Sequence, residues 1–191
     1  METNSPHSAT ALLVMDIQAG TIGRVEDSKT LVSMLKQAIA AARAARIPVI
    51  YVVVGFRKGF PEIGIGTAKT FAALRQGAFP GLEEPTVDAA VAPEPGDIVV
   101  TKRRVSAFAG SDLETILRSH KIEHLVLTGI STSGVVLSTL REAADKDYRL
   151  SVLSDGCADM DPQVNTVLLT KVFPRQADVL TVGQWAAGLS Q

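Results

Sequence analysis

The feature that most constrains this chain is the alternation of strand-sized apolar runs with segments of helical period. The runs at residues 10–15 and 48–54 bracket a stretch in which Leu31, Met34, Leu35, Ala38 and Ala42 recur at helical spacing, with Asp27 or Ser28 as its cap. A strand, a helix and a strand in that order make a β-α-β unit. Its two strands run parallel because the helix carries the chain back to the starting edge. Further strands are expected at residues 97–102, 124–128, 150–153 and 177–181. Helices are expected from 111 or 112 to about 120, over 135–146, and from Pro162 to before Pro174, with Trp185 in a short tail. Residues 55–80, rich in Gly and Pro, read as a long loop broken by one short helix near 68–75. Loops of that length are usually functional or mobile. The pattern specifies an α/β fold whose parallel sheet is covered on both faces.

At 191 residues and 46% hydrophobic content the chain has enough apolar material for one sizeable core. One domain is expected over residues 9–191, after a polar, frayed tail at 1–8. The 19 basic and 20 acidic residues are dispersed and leave a net charge of -1, which gives no footprint for nucleic acid or an anionic membrane. No apolar run approaches the roughly 20 residues that span a bilayer, and no secretory signal is visible. The expected compartment is therefore the cytoplasm, and the expected partner a small-molecule substrate. The single cysteine, Cys157, cannot form an internal disulfide.

Ligands of such sheets bind outside the carboxyl ends of the strands. That rule selects three places. Asp16 closes the first strand, with Gln18 two positions on and able to reach the same ligand; the alternative is that Asp16 caps a turn. Lys102 closes the third strand within Thr101-Lys102-Arg103-Arg104, which by itself reads as a solvated rim. The connection Gly129-Ile130-Ser131-Thr132-Ser133-Gly134-Val135-Val136 follows the fourth strand, and its backbone N–H groups can bind an anion or a developing oxyanion. A plain strand-to-helix connection is the alternative there.

Taken together and in order, four segments resemble the isochorismatase-like cysteine hydrolases. They are Leu12-Leu13-Val14-Met15-Asp16-Ile17-Gln18, Val100-Thr101-Lys102-Arg103-Arg104-Val105-Ser106-Ala107-Phe108, Leu127-Thr128-Gly129-Ile130-Ser131-Thr132, and Asp155-Gly156-Cys157-Ala158-Asp159. The resemblance covers nearly the whole chain. It implies a three-layer α-β-α, Rossmann-like fold with a six-stranded parallel sheet, a cis peptide at Ile130-Ser131, and dimers or tetramers for which residues 77–91 offer apolar surface. It also implies a catalytic Asp, Lys and Cys, of which Asp16 and Lys102 match the first two. Where the family pattern Gly-x-x-Thr-x-x-Cys places its nucleophile, this chain has Val135, so thioester chemistry is not expected there. Cys157 falls where relatives often carry a non-catalytic cysteine. His7, His120 and His124 lie too far from the hydroxyls of the turn to suggest a Ser-His pair.

No metal or other cofactor is expected, because residues 52–64 lack the histidines of the nicotinamidase branch. The leading expectation is a cofactor-independent hydrolase in which Asp16 does acid or base work. Lys102 and the backbone donors would hold a small polar or carboxylate-bearing substrate, with Gln18, Arg57, Phe108, Ser131, Thr132, Ser133 and Gly134 contributing to binding. Arg103 and Arg104 are further candidates for a substrate carboxylate, and Phe56 for a pocket wall. A Lys102 ammonium would favour ionised Asp16, whereas a general acid must hold its proton, so burial or an anionic substrate would have to raise the pKa. The competing reading is a non-catalytic relative that keeps the pocket and binds a small ligand or a partner.

Overall fold

The computed structural model describes residues 9–64, 66, 69–77 and 81–189. The expected frayed tail at 1–8, with His7, lies outside them. Six strands, β1 (Thr10–Met15), β2 (Val49–Val54), β3 (Ile98–Lys102), β4 (His124–Ile130), β5 (Arg149–Ala158) and β6 (Asp178–Leu180), form one sheet in the order β3-β2-β1-β4-β5-β6. Every neighbouring pair is parallel. The order reverses direction between β1 and β4, which opens a crevice at their carboxyl ends.

The period of two along each strand divides the core into two layers. Ala11, Leu13 and Met15 of β1 pack with Ile50, Val52, Leu125 and Leu127 on one face. Leu113 and Leu117 of α4 (Leu113–Ser119) and Leu140 and Ala143 of α5 (Leu137–Asp145) cover them. Leu12 and Val14 face the opposite layer with Tyr51 and Val126. There α2 (Ser28–Ala44), which follows the single turn α1 (Ala19–Ile22), supplies Leu31, Leu35, Ala38, Ile39 and Ala42, and α7 (Val182–Gly188) supplies Val182 and Trp185. Each leucine so buried contributes about 1.5–3 kcal/mol of transfer free energy, which is why β1 reads as an unbroken apolar run.

Asp27 is the cap of α2, its side chain accepting from Thr30 N at 3.2 Å. The tail around Trp185 is a helix. Thr181 and Gln184 close a reciprocal capping box at its start, and Trp185 is buried against the α2 layer. The helix expected from residue 135 begins at Leu137, because residues 132–136 form a wide π-helical turn. β4 runs two residues further than expected, to Ile130. β5 runs to Ala158, with a register shift that pairs Val152 with Leu127 but Cys157 with Gly129. The peptide Ile130-Ser131 is cis.

The long segment after β2 carries α3 (Lys69–Arg75) and builds a small core of its own, in which Phe56, Ile63, Leu74 and Leu82 pack with Phe60 and Phe71. Leu82 therefore turns inward, and Val87 and Val91 pack against the α2 layer, so these three larger apolar residues are used inside the subunit, while Ala89 and Ala90 are exposed. The large exposed apolar side chains are instead Val99, Met160, Val164 and Val167, the last two on α6 (Pro162–Val167). No described helix is long and apolar enough to cross a membrane.

Candidate active site

At the crevice beyond β1 and β4 the chain encloses a cavity of about 150 Å³. A benzene-sized guest fits a space of roughly that volume. Asp16 and Lys102 meet in its wall, with Lys102 Nζ 2.9 Å from Asp16 Oδ2. Lys102 stands on the edge strand β3, two strand spacings from β1, roughly 10 Å in the plane of the sheet. Only a long, flexible stem crosses β2 to reach the carboxylate. Asp16 adopts a left-handed backbone with φ of 55°, which ends the extended alternation of β1 at this residue. Thr21 Oγ1 donates to its carbonyl and fixes the bend.

The two charges are buried, with side-chain exposures of 3% for Lys102 and 9% for Asp16. All three N–H groups of the ammonium are used, on Asp16 Oδ2 and on the carbonyls of Arg104 and Val105 at 3.0 Å each. Lys102 thus has no proton to spare for a ligand. The other carboxylate oxygen, Oδ1, is buried and has no hydrogen-bond partner among the described residues. Burial raises the Asp16 pKa, and this outweighs the opposing pull of the Lys102 charge and hydrogen bond.

The remaining wall is largely apolar, including Val54, Val105, Ile130 and Val135, and α3 covers it with Phe71 and Leu74. Ser131 and Gly134 also line it. Gly129 has a φ of 144°, and a Cβ there would lie 2.3 Å from the Met15 carbonyl oxygen, so only glycine lets β4 approach β1 beside Asp16. Several backbone donors expected to face a ligand are already committed. Ser133 N donates to Asp159 Oδ2 at 2.7 Å, and Gly134 N and Val136 N donate to the Ser131 carbonyl.

Five other expected binding residues stand outside the cavity wall. Gln18 is buried and spends its carboxamide on both backbone groups of Val54, accepting from N at 2.9 Å and donating to O at 3.2 Å. It extends the pairing of β1 with β2 by a side chain. Phe108 packs in the core against Tyr148. Thr132 is fully buried and donates to Asn165 Oδ1. Ser133 points its amide at Asp159 and is exposed. Arg57 is exposed and paired with Glu62 at 2.7 Å. Phe56 belongs to the small core under α3. Arg24, Thr21, Thr70 and Met160, which the sequence reading passed over, do line the cavity. Their one advance signal is position, just beyond strand ends or on the helix of the long loop.

Cys157 lies on β5, buried, with its thiol pushed up to about 12 by desolvation. Such a thiol is protonated and inert at neutral pH. Among the described residues no three His, Cys, Asp or Glu side chains gather as a metal site requires.

A family model described as the isochorismatase domain matches residues 10–184. Ureidoacrylate amidohydrolase RutB from Stutzerimonas stutzeri (strain A1501) is 34% identical over 179 residues, which cover 82% of this chain and 72% of that protein. Among solved structures, an isochorismatase family protein from Burkholderia thailandensis superposes with a TM-score of 0.83 at 29% identity, covering 96% of this chain and 97% of its own. N-carbamoylsarcosine amidase from Thermoplasma acidophilum superposes with a TM-score of 0.70 at 26% identity, over 91% and 96% of the two chains.

Proposed function

This chain belongs to the isochorismatase family, and from that premise we propose that it is a cofactor-independent hydrolase of a small polar or carboxylate-bearing substrate, with Asp16 as its proton-transfer group. The observation that carries the reading is the asymmetry of one carboxyl group: Oδ2 is anchored by Lys102, while Oδ1 is buried in the wall of a largely apolar cavity without a partner among the described residues. A group so placed is oriented, poorly solvated and raised in pKa, which suits it to hold a proton or to take one. The objection that a lysine-paired aspartate is too acidic to donate is weakened, since desolvation outweighs the lysine.

Val135 stands in the cavity wall where the family pattern has its thiol, so the attacking group is water and no acyl-enzyme forms. For an enol ether, protonated Oδ1 gives its proton to the vinyl carbon. Water then adds to the resulting oxocarbenium carbon and returns one proton to Asp16, and the hemiketal so formed passes its hydroxyl proton to the ether oxygen as that C–O bond breaks, which leaves a carbonyl and the free alcohol. For an amide or urea, ionised Asp16 takes a proton from water as its oxygen attacks the carbonyl carbon, and returns it to the departing nitrogen. Lys102 is a positioning residue in both, holding Oδ2. Ureido and carbamoyl compounds head the amide side of a screen, since two of the similar proteins are named for them.

The test is a turnover screen of enol ethers, amides and ureas with the folded protein and its Asp16→Asn variant. Loss of about 100-fold or more in kcat, with an unchanged circular dichroism spectrum, is the expected result for a general acid or base. Absence of turnover across the screen, or an equally active Asn variant, removes the reading in favour of a non-catalytic relative that only binds.

A further inference from the structure

Building on the hydrolase reading, we propose that Arg104 is a specificity-determining residue of this cavity, selecting ligands whose apolar body carries a carboxylate. The cavity wall contains Arg24, Lys102 and Arg104 but one acid, Asp16, although the chain as a whole has a net charge of -1. Asp16 and Lys102 answer each other, and Arg104 stands at the same wall.

Of the arginines near the end of β3, Arg104 is the one that no carboxylate answers among the described residues. Arg57 pairs with Glu62 at 2.7 Å, and Arg103 lies 3.7 Å from the same carboxylate while donating to the Gly55 carbonyl. Arg104 donates only to carbonyls, of Arg103 at 2.6 Å and of Glu62 at 2.8 Å, and among the described residues no carboxylate pairs with it. Two of its five N–H groups are thereby used, and the others remain for a bidentate carboxylate. Its guanidinium is 5.0 Å from the centroid of the Phe71 ring, a stacking that flattens it against α3 and costs no charge.

The same residue is tied to the proton-transfer pair through its backbone, because its carbonyl accepts from Lys102 Nζ. A ligand carboxylate on the guanidinium and a scissile group at Asp16 are thus set by one short stretch of chain. The apolar wall of Val54, Leu74 and Val135 excludes water from the ligand body, which strengthens the ion pair at the mouth.

The probes are benzoate and benzamide, which share a ring of the right size and differ in charge, titrated calorimetrically into the full chain. Wild type is expected to bind benzoate about tenfold or more tightly than benzamide. Arg104→Gln should erase that preference while changing benzamide affinity by less than about twofold, and Arg104→Lys should restore part of it. Asp16→Asn should keep the preference while losing turnover, so failure of the hydrolase reading and failure of this one give different results. Equal affinity of wild type for the two probes overturns the proposal. So does absence of benzoate binding, or parallel loss of both probes in Arg104→Gln, which would mark a merely structural arginine. If Arg104→Gln does not fold, Arg104→Lys decides: a reduced benzoate preference supports the assignment, and an unchanged one ends it.

Discussion

At the scale of single residues, the proposed chemistry rests on a buried ion pair whose two members are differently committed. Lys102 is saturated and immobile, whereas Asp16 keeps one oxygen uncommitted. Such a pair is costly to break from one side, because the survivor is left charged in a poor solvent. Lys102→Met is expected to destabilise the fold by about 3–5 kcal/mol near neutral pH. The sign of the pH dependence follows from the raised Asp16 pKa. Between the ordinary value of 3.8 and the folded value the native state holds more protons than the unfolded chain, so this carboxyl's contribution falls as pH rises through that window. Removing the ammonium raises the folded pKa further and widens the window upward. Denaturant unfolding should therefore show a smaller penalty for Lys102→Met in mild acid than at neutral pH. An equal penalty at both would mean that Asp16 does not titrate as argued.

At the scale of elements, the site depends on how closely β1 and β4 approach at the point where the sheet order reverses. Gly129 is the contact, its missing Cβ leaving room for the Met15 carbonyl one residue before Asp16. Gly129→Ala should cost about 3 kcal/mol or more, since it combines a strained φ with a backbone collision. Gly59→Ala is a useful control, because that glycine also has a positive φ, of 79°, but nothing within 4 Å of the added atom. Its cost should stay near 1 kcal/mol, and similar thermal shifts for the two variants would show that the strand approach is not tight. The elements themselves were unequally legible. α2 declared itself through its apolar spacing and Asp27, whereas α7 reads in the sequence only as a short tail around Trp185, because the capping box of Thr181 and Gln184 stands beside Gly183 and lacks a long apolar period. The far half of β5 gave no periodic signal, because the register shift opposite Gly129 breaks the alternation that such a signal needs.

At the scale of the molecule, the long segment after β2 is a cover rather than an idle loop. Its small core under α3 places Phe71 and Leu74 over the cavity, and Glu62 ties it to Arg103 just beyond β3. The family resemblance carries the expectation of a dimer or tetramer, and light scattering at micromolar concentration should give two or four times the mass of one chain. A single-chain mass would remove that expectation. The sequence by itself determined the layers and the ends of strands where ligands sit, since apolar periodicity and chain reversal are local properties that fix which faces are buried and which way parallel strands point. It also brought Asp16, Lys102 and the turn near Gly129 into one hypothesis. Which side chains turn toward the cavity was decided only by tertiary structure. Gln18, Thr132 and Arg57 found stronger partners in Val54, Asn165 and Glu62, while Arg104 found only carbonyls among the described residues. A side chain's partner depends on groups far away along the chain, and no local pattern encodes that competition.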